Sequence, residues 1–133
     1  MLQRDYLVQM LTMFAQAIAR SLERRKTKND PLGAAEMLEA AISEATDIDG
    51  DILLQLAPES VASILQVSSV DPRVAGYIVR SMYLESEYLA EAGDMGLSQL
   101  RFQQADAIAD AYGFAEEDIP PADEQAPIDV LDE

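Results

Sequence analysis

Between residues 5 and 112 apolar side chains recur at steps of three and four, the spacing of one helix face. Leu7, Leu11, Phe14, Ile18 and Leu22 form the first such stripe, widened by Met10 and Ala17, and predict a helix over residues 5–25. It leaves through Arg24, Arg25, Lys26 and Lys28, where cations complement the negative end of the helix dipole. Asn29-Asp30-Pro31 stops that helix and starts another, because Asp is a good N-cap and Pro suits the first helical position. The second helix runs to about Ala45, with Ala34, Leu38, Ala41, Ile42 and Ala45 on one side.

The pattern then shortens. Asp51 to Leu56 and a second short helix opened by Pro58, through Val61, Ile64 and Leu65, read as a linker of short helices over 46–71. Asp71-Pro72 repeats the cap-plus-proline signal and begins a long helix with Val74, Ile78, Met82 and Leu89 inside and Glu85, Glu87 and Glu91 on a solvated face. Gly93 ends it. A last helix from about Met95 to Tyr112 presents Leu97, Leu100, Ala105, Ile108 and Tyr112, and Gly113 occupies the C-terminal stop position. No segment alternates with period two, so the expected fold is all-α, a single helical domain over 1–112. Two antiparallel hairpins, about 5–45 and 72–112, are its main parts.

The hairpins show an internal likeness. Displacing the chain by 64 residues sets Asn29 on Gly93, Ala34 on Ser98, Leu38 on Phe102, Ala41 on Ala105, Ala45 on Ala109 and Ile18 on Met82. Those turn, small and large apolar positions follow a tetratricopeptide helix pair. Leu22 and Ser86 stand where such repeats usually place Gly, and Arg25 and Leu89 where they place an aromatic residue. Further segments carry a family likeness: Gln3-Arg4-Asp5-Tyr6-Leu7, Ala17 to Leu22, Ile48-Asp49-Gly50-Asp51-Ile52-Leu53-Leu54, Ala57-Pro58-Glu59-Ser60 and Gly93-Asp94. In that order they resemble an uncharacterised bacterial family of small helical proteins. The resemblance spans residues 3 to about 112 and implies a tetratricopeptide-like fold with no assigned activity. Asn29-Asp30-Pro31 departs from it, since a Gly-containing turn is more usual there.

Charge changes the picture at both ends. The chain has 25 acidic and 9 basic side chains, a net charge of −16. Residues 1–28 carry six basic and two acidic groups (+4), 29–72 carry nine acidic and none basic (−9), 73–112 stand at −3 and 113–133 at −8. The last block includes Pro120, Pro121 and Pro127 and shows no apolar periodicity, which predicts a disordered acidic tail. Ile128, Val130 and Leu131 are its one candidate docking segment. Net charge of this sign repels phosphate backbones and anionic lipid, so nucleic acid and membrane are not expected partners. The basic run Arg20, Arg24, Arg25, Lys26 and Lys28 lacks interleaved aromatics and reads as dipole compensation and pairing with nearby acids. The apolar stretch at 7–19 is broken by Gln9, Thr12 and Gln16 and is too short to cross a bilayer.

Missing residue types narrow the chemistry. Without Cys or His there is no Ser-His-Asp or Cys-His relay, zinc site of the usual ligands or disulfide. Asp47-Ile48-Asp49-Gly50-Asp51 is the one local set with metal-ligand character. As a calcium loop beginning at Asp47 it would need Gly at its sixth position and Glu at its twelfth, where Ile52 and Pro58 stand. It reads instead as a capped turn. Glu85, Glu87, Glu91 and Asp94 lack the histidines of di-metal bundles and read as an outer charged face. No catalytic, cofactor or metal residue is therefore assigned, and no cofactor is expected.

What remains is surplus apolar surface. Met10, Met13, Met82 and Met95 with Tyr6, Tyr77, Tyr83, Tyr88 and Phe102 could line an adaptable groove. Tyr77 and Tyr83 cannot share one face with Ile78 and Met82, so that helix is buried on most sides or a partner covers it, which motivates a homodimer. The expected function is a cytoplasmic protein-interaction or self-association module without catalytic activity. The competing reading is a small-ligand binder or carboxylate-based enzyme with an interhelical cleft.

Overall fold

A computed structural model describes the backbone from Leu2 to Ala122 and the side chains from Asp5 onward. Among the described residues there are six α-helices, a short 3-10 turn and no strand: α1 Leu2–Lys28, α2 Pro31–Thr46, α3 Gly50–Leu53, α4 Pro58–Val67, α5 Pro72–Glu91 and α6 Met95–Tyr112. The all-α expectation holds.

The turns explain the boundaries. Asp30 accepts a hydrogen bond from the Gly33 backbone N–H at 3.0 Å, and Asp94 accepts one from Leu97 N–H at 3.2 Å. Each therefore satisfies an amide that the first helical turn leaves without a partner. The residue before each cap turns the chain in the left-handed region, Asn29 at φ 52° and Gly93 at φ 92°. Asn29 is tolerated there because its short polar side chain adopts this region more readily than most, and the two hairpins turn alike despite the different residues. Asp71 caps α5 through the Arg73 N–H at 2.8 Å, and Asp49 caps α3 through the Asp51 N–H at 3.0 Å. The Asp47–Asp51 segment is thus a turn between helices, with Asp47 itself the left-handed C-cap of α2.

Connections this short make α1/α2 and α5/α6 antiparallel hairpins. α5 is the central element: it packs on α6, on α2 and on α1, while α4 covers α6. Phe14, Ile18, Leu38 and Ile42 from the first hairpin meet Ile78, Met82 and Tyr88 of α5 and Ile108 of α6 in one core, closed by Leu53, Leu54 and Leu65 from the short helices. Tyr77 stacks on Phe14 with ring centroids 6.0 Å apart, and Tyr88 shares a 2.9 Å hydrogen bond with the buried Ser21 hydroxyl. The first of the two explanations for Tyr77 therefore applies: the chain itself buries α5 on most of its sides.

Two expectations need correction. Glu85, assigned to a solvated face, is fully buried. The acidic C-terminal block also divides. Residues 113–122 run from the end of α6, where Phe114 stacks on Tyr112, to α5, where Arg80 Nε donates to the Pro120 carbonyl at 2.7 Å, and Ile119 packs against the core. Gly76 permits this approach, since a Cβ there would stand 3.3 Å from the Asp118 carbonyl oxygen. Residues 123–133, including Ile128, Val130 and Leu131, lie outside the described residues.

Candidate functional site

Two features carry chemistry, one sealed and one open. The sealed one joins four elements. Arg101 of α6, 4 % exposed, donates from Nε to Glu85 Oε2 of α5 at 3.1 Å, from Nη2 to Glu39 Oε2 of α2 at 3.3 Å, and from Nη1 to the Leu54 carbonyl at 2.8 Å. Gln104, one turn further along α6, donates to the Leu54 and Leu56 carbonyls, both at 2.9 Å. Those carbonyls follow the short helix α3, which is too brief to satisfy its own C-terminal end.

Glu85 is the unusual member. Its Oε1 is buried with no hydrogen-bond donor nearby. Burial pushes its carboxyl well above the ordinary glutamate range and the Glu39 carboxylate adds to this, while Arg101 opposes it. Protonated, Oε1 becomes a donor toward Glu39. Glu39 is only partly covered, its side chain 27 % exposed, so the fully buried members are then one cation and one neutral acid, which is cheaper than burying a second carboxylate charge beside Glu39.

The open feature is a groove of about 500 Å³ between α5 and α6. Tyr83 and Phe102 form its floor with ring centroids 5.3 Å apart, and Phe102 remains 49 % exposed. Phe114, stacked on Tyr112, and Ile119 close one end. The rim bears Glu87, Asp106, Asp110 and Glu116 against the single cation Arg80, already engaged with Pro120. Tyr83 donates its hydroxyl to Asp106; burial, reinforced by that bond, pushes the phenol up to about 12. Reciprocal bonds between Ser86 and Ser98, at 2.7 and 2.8 Å, hold the two helices together beneath the groove.

A second cleft of about 460 Å³ lies between α1 and α2, with Met13, Ala17, Met37 and Ala40 in its lining and Arg20 and Glu44 at its edge. A third, of about 870 Å³, includes Tyr6, Met10, Asp47 and Arg73. Glu39, Glu85 and Arg101 line none of these three.

The methionines and aromatics considered for one groove are thus dispersed. Only Tyr83 and Phe102 meet in the open groove; Tyr77, Met82 and Tyr88 are core, and Met95 stands on the surface. In the basic run, Arg24 pairs with Asp30 at 2.9 Å and Arg25 with Glu91. No group of three or more acidic residues is placed to hold a metal ion among the described residues. None of the described helices is long and apolar enough to cross a membrane. Glu39, Arg101 and Gln104 were not singled out from the sequence, although Glu85 occupies the gap in the Ile78-Met82-Leu89 stripe and Arg101, Gln104 and Ile108 share helical spacing.

The fold and groove define a small all-helical protein built on two stacked hairpins. Comparison with protein-family models, with curated proteins and with solved structures finds no match.

Proposed function

We propose that this chain is a protein-interaction module of the cytoplasm, built from two tetratricopeptide-like hairpins, which takes a polypeptide segment into the groove between α5 and α6. The observation that carries the reading is the aromatic floor left open there, with Phe102 half exposed above Tyr83. The position matters as much as the composition. Under the 64-residue displacement Phe102 corresponds to Leu38, which is completely buried in the core beneath α5. α5 lies against both helices of the first hairpin, whereas among the described residues the corresponding face of α5 and α6 receives the short 113–122 segment. Helical arrays bind partners on such uncovered faces. Family membership and bacterial origin belong to the same proposal and rest on the ordered sequence motifs.

A photoreactive phenylalanine analogue at position 102 tests this directly, with Val67, 84 % exposed on α4, as the control position. Irradiation in cells is expected to couple position 102, and not position 67, to a polypeptide. Absence of any polypeptide adduct at 102 refutes the module. A second reading, a small-ligand binder working through Glu39, Glu85 and Arg101, is favoured by the unpartnered Glu85 Oε1 alone. It requires an opening to that cluster, and a ligand that raises the melting temperature of the parent but not of Arg101→Met would support it.

A further inference from the structure

We infer that the occupant of the α5/α6 groove is a basic segment of a different polypeptide, a large apolar anchor flanked on both sides by Lys or Arg; this rests on the module reading above. Along α6, Phe102, Asp106 and Asp110 follow one another at steps of four, and along α5 Glu87 stands four residues beyond Tyr83, so each ring has a carboxylate on its own line of the helix surface. The two helices run antiparallel. Glu87 is therefore displaced from the rings toward the 92–94 connection, and Asp106 and Asp110 are displaced away from it. Carboxylates thus flank the aromatic floor at both ends, over about 18 Å of helix axis. Glu116, in the segment that follows α6, adds a fourth.

Charge selects the occupant. The lining of this groove holds four carboxylates and one cation, and Arg80 already donates to the Pro120 carbonyl. In the α1/α2 cleft Arg20 is balanced by Glu44, and in the third cleft Arg73 stands with Asp71 and Asp47. The acid excess therefore coincides with the exposed ring. The chain itself has little to set against it. Of its nine basic side chains, Arg24, Arg25 and Arg73 are held by Asp30, Glu91 and Asp71, Arg80 by Pro120 and Arg101 by Glu85. A second copy would bring a further −16 to the contact. The complementary cations belong to another polypeptide. In such a contact the rings supply affinity, because an apolar side chain laid on Phe102 removes both surfaces from water, while exposed rim charges chiefly set the rate of encounter and the choice of partner.

Fluorescence anisotropy of labelled peptides titrated with the full chain provides the test. Three helical peptides of about twelve residues share a Leu-Phe-Leu centre and differ in their flanks, which are Lys and Arg, Gln, or Glu. At about 0.1 M salt the basic peptide is expected to bind at least about tenfold more tightly than the Gln peptide, and the Glu peptide most weakly of all. Phe102→Ser is expected to weaken the basic peptide at least about tenfold. Glu87→Gln with Asp110→Asn is expected to lower the preference for basic flanks at least about threefold, whereas Asp51→Asn with Glu59→Gln, which removes the same charge from exposed positions on α3 and α4, should change it less than about twofold. Circular dichroism checks that the variants stay helical, and the charge variants carry the test if Phe102→Ser unfolds. A basic peptide that fails to bind below about 1 mM, a Gln peptide that binds as tightly, undiminished binding to folded Phe102→Ser, or equal loss in the groove and control charge variants overturns the inference. So does an adduct at position 102 whose coupled segment carries no Lys or Arg beside its anchor. Any of these results accompanied by a polypeptide adduct at 102 removes the basic partner and leaves the module standing. Absence of any adduct there removes both.

Discussion

Replacing Glu85 by Gln should leave the fold nearly as stable as the parent in mild acid and more stable as the solution becomes alkaline. The side chain has no exposed surface, one oxygen bonded to Arg101 Nε at 3.1 Å and the other without a donor. A neutral carboxyl fits this environment, with one oxygen accepting from Arg101 and the other donating toward Glu39. Glutamine keeps both roles in the same shape, so its cost at low pH should be within about 1 kcal/mol. Alanine at the same site removes both and leaves Arg101 Nε without its acceptor, although Glu39 still balances its charge; losing a hydrogen bond to a charged group should cost about 1.5–3 kcal/mol. Out of a total stability of about 5–15 kcal/mol that is a large share.

The pH dependence has a definite sign. The folded state holds the Glu85 carboxyl above its ordinary value of 4.5, so the folded chain binds that proton more tightly than the unfolded chain. The stabilisation is complete below the unfolded value and is lost as pH rises through the folded one. Each unit of elevation amounts to about 1.4 kcal/mol of stability surrendered once the group ionises. Glu85→Gln cannot ionise. Urea unfolding of parent and variant, followed by helical circular dichroism from about pH 5 upward, should show the variant gaining on the parent as pH rises toward the folded value of Glu85. Using the difference between two proteins of equal acidity elsewhere removes most of the general self-repulsion of this chain. A difference that stays constant with pH, or moves toward the parent, refutes a protonated Glu85. So does equal damage from glutamine and alanine.

Three other outcomes follow from single contacts. Ser21→Ala should cost about 1 kcal/mol by leaving the buried Tyr88 hydroxyl unpaired, Tyr88→Phe should cost less because the Ser21 hydroxyl keeps its bond to the Ile18 carbonyl, and the double variant should cost less than the sum, as a double-mutant cycle in urea would show. Gly93→Ala should destabilise by about 1–2 kcal/mol although nothing lies within 4 Å of the added methyl, because φ 92° is strained for any L side chain; thermal unfolding measures it. Asp106→Asn should lower the Tyr83 phenol from about 12 by removing the carboxylate that favours its neutral form, visible as an earlier component in an ultraviolet titration of the tyrosines.

Most of the helical architecture was legible because its signals are local. Aspartate and proline announced α2 and α5, and apolar steps of three and four set the inward faces. α1 runs to Lys28 instead of residue 25, and α3 is shorter than the 51–56 segment expected. Both differences fall at helix ends, where local preference is weakest. The repeat displacement also gains weight, since Asn29 and Gly93 both turn left-handed and Asp30 and Asp94 both cap. Ser21 shows the limit of the pattern: it occupies the buried side beside Ile18, with Leu22 only partly covered, because Tyr88 supplies a hydroxyl partner 67 residues away.

Glu85 was misread for the same physical reason that makes it informative. A carboxylate in an inward position costs several kcal/mol unless a tertiary partner compensates it, and that partner, Arg101, lies on another element and is itself held by Glu39 and the Leu54 carbonyl. No local pattern carries that compensation. The interruption in the Ile78-Met82-Leu89 stripe did carry half of it, since an acid at a core register implies a buried counterpart somewhere. Phe102 presents the inverse case: a large apolar residue at the register of buried Leu38, left uncovered. The polar residue sealed inside has one oxygen held by Arg101 and the other without a donor. The apolar residue left outside is half exposed among the described residues, with Tyr83 as its ring partner, which is why the proposed function is placed at the groove above it.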